Sequence, residues 1–313
     1  MDAHGKVLEN LRWQADVTDE PLTAAVLDAA HADALAGGPT WDRLRPLAHL
    51  PSGSNLALRL AGAAHRLALA GDAPAYAAHL PTCGGDGDVD AARTAFVALM
   101  ADDRLDLRPV QTNEPGRLAA LRPAFAAVHQ RTGLPLRLLE LGSSGGLLLR
   151  RPDGIPIAGR RGCDANPLDP TDAADRLLLL SFVWAGDVPR FRRLEAALDA
   201  AAADPATVDT CDAGTWLGAQ LIGRTPGVTT VVFHSIVWDY LSPSTKQDID
   251  LALAKAARRA DDEAPLAYVR FEPGGGMAET RVTNWPTGDE HLLATSGFHG
   301  QDVDWRGYPV PAV

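Results

Sequence analysis

The chain has 313 residues, 46% of them hydrophobic, and a formal net charge of -11. That length accommodates one large α/β domain or two smaller units. The acidic balance argues against a protein that grips nucleic acid by neutralising phosphates, and against a polybasic membrane-surface protein. A small-molecule substrate is the expected partner. Cys83, Cys163 and Cys211 are odd in number and lack the spacing of a zinc site or a redox pair, which predicts a reducing compartment. No signal-like apolar segment follows Met1, and no run of about 18 apolar residues occurs. A cytoplasmic location is expected.

Residues 1–130 read as helical. Leu22–Leu35, Leu56–Ala70 and Ala91–Met100 carry alanine and leucine at helical spacing, and Gly37-Gly38-Pro39, Pro51-Ser52-Gly53 and residues 81–87 separate them. This part is predicted to be an all-helical cap domain. From Leu136 strand-like and helix-like segments alternate. Strands are predicted at Leu136–Leu141, Ile155–Cys163, Thr207–Cys211, Thr229–His234, Leu266–Phe271, Arg281–Trp285 and Val303–Trp305. Helices are predicted at Asp172–Val183, Arg190–Ala202, Gly214–Leu221 and Ser244–Ala260, with Asp172 and Ser244 as N-caps. Such alternation builds a parallel sheet with right-handed crossovers. The last two strands, with no helix-length apolar segment between them, are expected to pair as an edge hairpin. The fold class expected is α/β: a Rossmann-like seven-stranded sheet over residues 131–313, preceded by the helical cap over 1–130.

The most informative stretch is Leu138–Gly146, Leu-Leu-Glu-Leu-Gly-Ser-Ser-Gly-Gly. An apolar run ending in glycines reads as a buried parallel strand that stops at a turn and hands over to a helix. Open α/β sheets bind cofactors at such strand ends. A dinucleotide fingerprint requires G-x-G-x-x-G, whereas this chain has Glu140-x-Gly142-x-x-Gly145. A carboxylate beside a pyrophosphate is repulsive, so a cofactor with a cationic centre and no phosphate fits better, and S-adenosylmethionine has both properties. Glu140, Gly142, Ser143, Gly145 and Gly146 would cradle its methionyl part. Asp164 lies 22 residues beyond Gly142, near the ~20 of a ribose-binding acid in a βαβ unit. Asp212, followed by Ala213, would meet the adenine. Taken singly, a glycine turn is commonly only a turn and a strand-end aspartate only a helix cap; their order and spacing carry the reading.

These segments, together with Gln111–Arg117, Gly162–Pro170, Val232–Trp238, Trp285-Pro286 and His299-Gly300, resemble the bacterial domain-of-unknown-function family 2332. The resemblance spans nearly the whole chain. It implies a fold similar to that of class I S-adenosylmethionine-dependent methyltransferases, and it implies a cofactor without naming a reaction. The stretch from Gly146 to Ile155 is short and arginine-rich where relatives carry a longer insertion.

Other residues frame the substrate. In Gln111-Thr112-Asn113-Glu114-Pro115 a helix start explains Asn113, Glu114 and Pro115 but not Gln111 or Arg117. Gln111, Asn113 and Arg117 are therefore candidate substrate contacts, Arg117 as a partner for a carboxylate. His234 ends the fourth strand and Glu272 the fifth, which makes both candidate catalytic residues at that edge. For His234 a purely structural role as cofactor wall stands beside this. Trp238 is a candidate substrate contact or rim filler. His234, His291 and His299 show no metal-ligand spacing. Two alternatives stay open. The fold could bind a cofactor or metabolite without catalysis. Gly142-Ser143-Ser144-Gly145-Gly146 also satisfies G-x-S-x-G, with Asp212 and His299 following in serine-hydrolase order, although that serine should follow several strands rather than the first.

Overall fold

A computed structural model describes residues 2–223 and 225–308. The chain divides into two compact units, Met1–Thr112 with Thr171–Ala196, and Asn113–Pro170 with Ala197–Val313.

The first unit is helical. It contains α1 (Ala3–Val17), α2 (Pro21–Leu35), α3 (Pro39–Leu44), α4 (Leu56–Leu69), α5 (Pro74–Ala77) and α6 (Val89–Leu99). Carboxylates start several of these helices by accepting otherwise unpaired backbone N–H groups. Asp2 caps α1, Glu20 caps α2 and Asp88 caps α6. Leu11, Leu27, Leu44, Leu60, Phe96 and Met100 fill one apolar core. Gly62 is required on α4, because a Cβ there would lie 2.8 Å from the ring of Phe182.

The second unit begins with α7 (Leu118–Thr132). The strands β1 (Leu136–Leu141) and β2 (Ile157–Asp164) follow; then come α8 (Ala173–Ser181), which belongs to the helical unit, and α9 (Val188–Ala203), which belongs to it as far as Ala196. The chain continues through β3 (Thr207–Thr210), α10 (Ala213–Gln220), β4 (Thr229–Ser235), α11 (Pro243–Ala257), β5 (Leu266–Gly274), β6 (Met277–Trp285), β7 (Asp289–Ser296) and β8 (Asp304–Trp305). The eight strands form one sheet in the order β3-β2-β1-β4-β5-β6-β7-β8. Strands β1 to β5 are mutually parallel, and the pairings β5–β6, β6–β7 and β7–β8 are antiparallel. One face carries α7, where Leu121, Phe125 and Val128 meet Leu138, Phe233 and Val269. On the other face Trp216 and Leu217 of α10 and Ile249 and Leu253 of α11 meet Leu139, Leu141, Val232 and Tyr268. Cover on both faces explains why β1 and β4 read as nearly continuous apolar runs.

The sheet has eight strands where seven were expected. The additional strand is β7, which mixes buried, half-buried and exposed residues without regular alternation and so lacks the apolar run of a parallel strand. It separates the two segments expected to form a hairpin: β6 pairs with β7, and β7 with β8. Gly275 and Gly276, both with positive φ, close the β5–β6 hairpin in two residues, as a primed turn demands. Asp172 caps α8 as expected. At α11 the cap is Ser242 rather than Ser244, because Pro243 supplies the first helical position and the Ser242 hydroxyl accepts the Thr245 N–H.

In the helical unit His65 is buried, its Nδ1 bonded to the Ser181 carbonyl at 3.1 Å and its Nε2 to the Thr82 hydroxyl at 2.8 Å. Burial pushes its pKa from 6.5 down to about 4, against the backbone hydrogen bonds of Ser181 and Val183. The folded ring is neutral while the unfolded ring takes a proton from pH 6.5 downward. Stability is therefore complete above pH 6.5 and is lost as pH falls toward 4, by up to about 3 kcal/mol. Urea unfolding should show the midpoint of His65→Gln falling less than that of the unmodified protein across this window. Equal slopes would contradict the linkage.

Candidate functional site

The parallel strands end together. In register, Leu141 of β1 lies opposite Cys163 of β2 and His234 of β4, and Asp164 lies opposite Thr210 of β3. The strand order reverses direction between β1 and β4, the switch point at which open α/β sheets hold ligands. The glycine turn, Asp164, the Cys211-Asp212 step and the Ser235-Ile236 step thus share one sheet edge.

The turn is held by backbone and carboxylate together. The N–H groups of Gly142 and Ser143 both donate to the Cys163 carbonyl at 2.9 Å, and Ser144 N–H donates to Asp164 Oδ2 at 2.8 Å. Asp164 Oδ1 accepts the Asn166 N–H at 2.8 Å. Each carboxylate oxygen keeps a second lone pair. Gly142, Ser144 and Gly146 all have left-handed backbone. The β-branched Ile236, just past β4, is left-handed as well, a conformation that costs a side-chain-bearing residue about 1–2 kcal/mol.

After the turn the chain does not enter a helix. Residues 142–156 contain no helix, and Leu147, Leu148 and Leu149 are buried as irregular chain. The handover to a helix expected from the sequence is thereby corrected: Pro152 and Gly154 punctuate a segment too short to build one before β2. No helix N-terminus faces this edge from the turn, so the backbone arrangement that receives a pyrophosphate is missing there. The same observation weighs against Ser144 as a hydrolase nucleophile, because the nucleophile elbow is a strand-to-helix turn.

Glu140 and Arg117 sit behind the turn on the α7 face. Glu140 is 2% exposed and its Oε2 has no hydrogen-bond partner. Burial raises its pKa well above the usual carboxylate range and Asp164 adds to the rise, against a hydrogen bond from Ser143 and the charge of Arg117. Arg117, also buried, donates from Nη1 to the carbonyl and hydroxyl of Ser235 and from Nε to the Phe298 carbonyl. Asn113 Nδ2 donates to the Ser143 carbonyl at 2.7 Å. Asn113 and Arg117 thus brace the turn and the end of β4. Gln111 lies in the helical unit. Asp212 is the N-cap of α10, which Ala213 begins. It accepts the N–H groups of Gly214 and Thr215 on Oδ1 and the Thr245 hydroxyl on Oδ2, and the Thr245 bond leads the causes that lower its pKa.

On the opposite face His234 is fully buried. Its Nδ1 meets Glu272 Oε1 at 2.6 Å and its Nε2 meets the Tyr268 hydroxyl at 2.7 Å. Glu272 Oε1 also accepts the N–H groups of Val237 and Trp238. That oxygen is an acceptor, so Nδ1 carries the proton and Nε2 accepts from Tyr268. Trp238 stacks on His234 at 5.4 Å. A cavity of about 320 Å³ opens beside this array, lined by Tyr268, Glu272, Trp238, Asp250, Arg270 and Arg281 among others. Tyr268 went unnoticed in the sequence because an aromatic residue in a strand reads as core. The signal was the polar alternation Tyr268, Arg270, Glu272 on one strand face. Among the described residues, no group of three or more histidine, cysteine, aspartate or glutamate side chains could hold a metal ion. No described helix is long and apolar enough to cross a membrane.

A family model described as an uncharacterized protein conserved in bacteria, domain of unknown function 2332, matches residues 8–156 and 150–305. The chain belongs to this family. No curated protein matches it. In this member of family 2332, both matched stretches contribute to the described edge, the first through Asn113, Arg117 and the glycine turn, the second through Asp164, Asp212 and His234.

The turn yields a direct test. A Cβ at Gly142 would come within 2.5 Å of Val237 Cγ2, on a backbone with φ of 71°. Gly142→Ala should destabilise the protein by about 2–4 kcal/mol, combining left-handed strain with overpacking. Adding Val237→Ala should recover only part of this loss. Denaturant unfolding of the two variants measures it, and a neutral Gly142→Ala would mean the turn is not under this constraint.

Proposed function

We propose that this protein binds S-adenosylmethionine at the carboxyl edge of β1, β2 and β4 and transfers its methyl group to a small-molecule acceptor. The observation that carries the reading is the convergence of the left-handed glycine turn and the Asp164 carboxylate at the switch point of the sheet. The residues fit the group in two respects. Asp164 is oriented by two backbone N–H groups and retains lone pairs for ribose hydroxyls. Glu140 has a buried oxygen without a donor, which a ligand ammonium can supply. When bound, the cofactor supplies an electrophilic methyl group on a sulfonium.

In this reading Gly142, Ser143, Gly145 and Gly146 border the methionyl part, with Glu140 behind them. Asp164 holds the ribose, and Asp212 with Ala213 borders the adenine. Catalysis of such an in-line displacement rests mainly on positioning, and the braced turn is suited to that. Arg117 and Asn113 act as positioning residues, because their donors are committed to the Ser235 and Phe298 carbonyls and to the Ser143 carbonyl respectively. His234 and Glu272 belong to the acceptor side, with Trp238 as its wall. The absence of a helix after the turn favours a cofactor without phosphate over a nicotinamide dinucleotide.

Isothermal titration with S-adenosylmethionine and its demethylated product tests this. Both should bind, and Asp164→Asn should weaken them at least about tenfold, or ~1.4 kcal/mol, with an unchanged circular dichroism spectrum. Absence of heat from either ligand at millimolar concentration would overturn the assignment.

A further inference from the structure

The cavity beside β4, β5 and β6 has its own chemistry. Both guanidinium groups on its wall are ion-paired, although Arg270 Nε is buried without a hydrogen-bond partner. Arg281 pairs with Glu279 at 2.7 Å and with Glu290 at 3.4 Å, and Arg270 pairs with Glu290. Two carboxylates are left. Glu272 receives only neutral N–H donors from His234, Val237 and Trp238. Asp250, exposed on α11, has no ion-pair partner among the described residues. The lining therefore has surplus negative charge; burial raises the Tyr268 phenol first, and Asp250 and Glu272 add to the rise against the larger opposing charge of Arg270. Trp238 cannot offer an open ring face, since His234 stacks on it and the Lys246 ammonium lies 5.7 Å from its centroid; it is a wall. Arg270 lies over the Tyr268 ring at 5.3 Å and fixes it from a third side.

His234 also borders the cavity, but it is fully buried and both of its ring nitrogens are engaged, by Glu272 and Tyr268, so a ligand meets the array through Tyr268 and Glu272. We propose that this cavity binds a small primary ammonium compound between Asp250 and Glu272, and that Tyr268 is the proton-accepting end of a relay through His234 to Glu272. The ammonium N–H proton passes to the Tyr268 oxygen while the phenol proton passes to His234 Nε2. This leaves a neutral amine with a free lone pair, and an imidazolium whose Nδ1–H is held by the Glu272 carboxylate. Atoms and charge balance with no further reactant. Tyr268 then touches the substrate, and His234 and Glu272 act through it. The role of the freed amine as methyl acceptor rests on the function proposed above; binding and tautomer do not.

The test uses the full chain without any cofactor, so that its result is independent of S-adenosylmethionine binding. Benzylammonium, benzyl alcohol and benzoate, three probes of one size and different charge, are titrated at pH 7 by ligand-observed NMR. Benzylammonium should bind at least roughly tenfold more tightly than the other two, a difference of ~1.4 kcal/mol, and Asp250→Asn on the exposed face of α11 should lower its affinity several-fold. In parallel, ¹⁵N-histidine spectra should show His234 as the Nδ1–H tautomer, with its Nε2 resonance moved by Tyr268→Phe and by added benzylammonium. Equal or tighter binding of benzoate, no binding of benzylammonium, an unchanged affinity in Asp250→Asn, or an Nε2–H tautomer would each overturn the proposal.

Discussion

Strand β1 is paired on both edges and covered on both faces, so everything it carries must be satisfied locally or left as a cost. Its single charged residue near the carboxyl end, Glu140, is held in that environment with one oxygen lacking a donor. A buried polar atom without a partner costs about 1–3 kcal/mol, and a buried ionised carboxylate costs more. That cost shows as a pKa raised chiefly by burial, which favours the uncharged carboxyl, while Ser143 and the charge of Arg117 act in the opposite direction. The left-handed turn that follows is the other expense at this edge. Ser144 and Ile236 both adopt backbone that side-chain-bearing residues avoid. Strain of this kind persists only where surrounding bonds over-determine it, and here they do: the Cys163 carbonyl, the Asp164 carboxylate, the Asn113 amide and the Arg117 guanidinium all fix the two loops.

The polar groups of the sheet unit segregate by face. Alternation along β1 and β4 sends Glu140 and Ser235 to the α7 side, and Leu141 and His234 to the α10–α11 side. Arg117 can therefore brace one side without touching the histidine array on the other. The two sides still meet, because Leu141 and His234 are register partners at the strand ends. The braced turn and the buried imidazole are thus neighbours at the edge between β1 and β4.

Much of this was legible, for identifiable reasons. The β1 strand and its turn stood out because burial on both faces forces an apolar run, and left-handed backbone calls for glycine. Asp172 was readable as a cap because its carboxylate serves the N–H groups directly after it. What escaped reading depended on context beyond the local pattern. Strand β7 is half-exposed and so mixes polar and apolar residues. The start of α11 turned on Pro243 rather than on the nearer capping box at Ser244. The helix expected after Gly146 is absent: Leu147-Leu148-Leu149 is apolar enough for any buried conformation, and Pro152 and the left-handed Gly154 break the segment before β2. Tyr268 and Asp250 are 18 residues apart in sequence, and only the packing of α11 onto β5 brings their chemistry to one cavity.

The missing helix also bears on ligand chemistry. In dinucleotide-binding sheets the first crossover helix presents free N–H groups and the positive end of its dipole to a phosphate. Here that crossover is irregular, the loop N–H groups of Gly142, Ser143 and Ser144 are taken by Cys163 and Asp164, and the residue beneath them is an acid. The residues beneath this turn are the Asp164 carboxylate and Glu140, whose pKa burial raises, and no first-crossover helix presents free N–H groups to a phosphate there. On the other face the histidine array carries a second pair of acids, Glu272 and Asp250, beside the ion-paired Arg270 and Arg281.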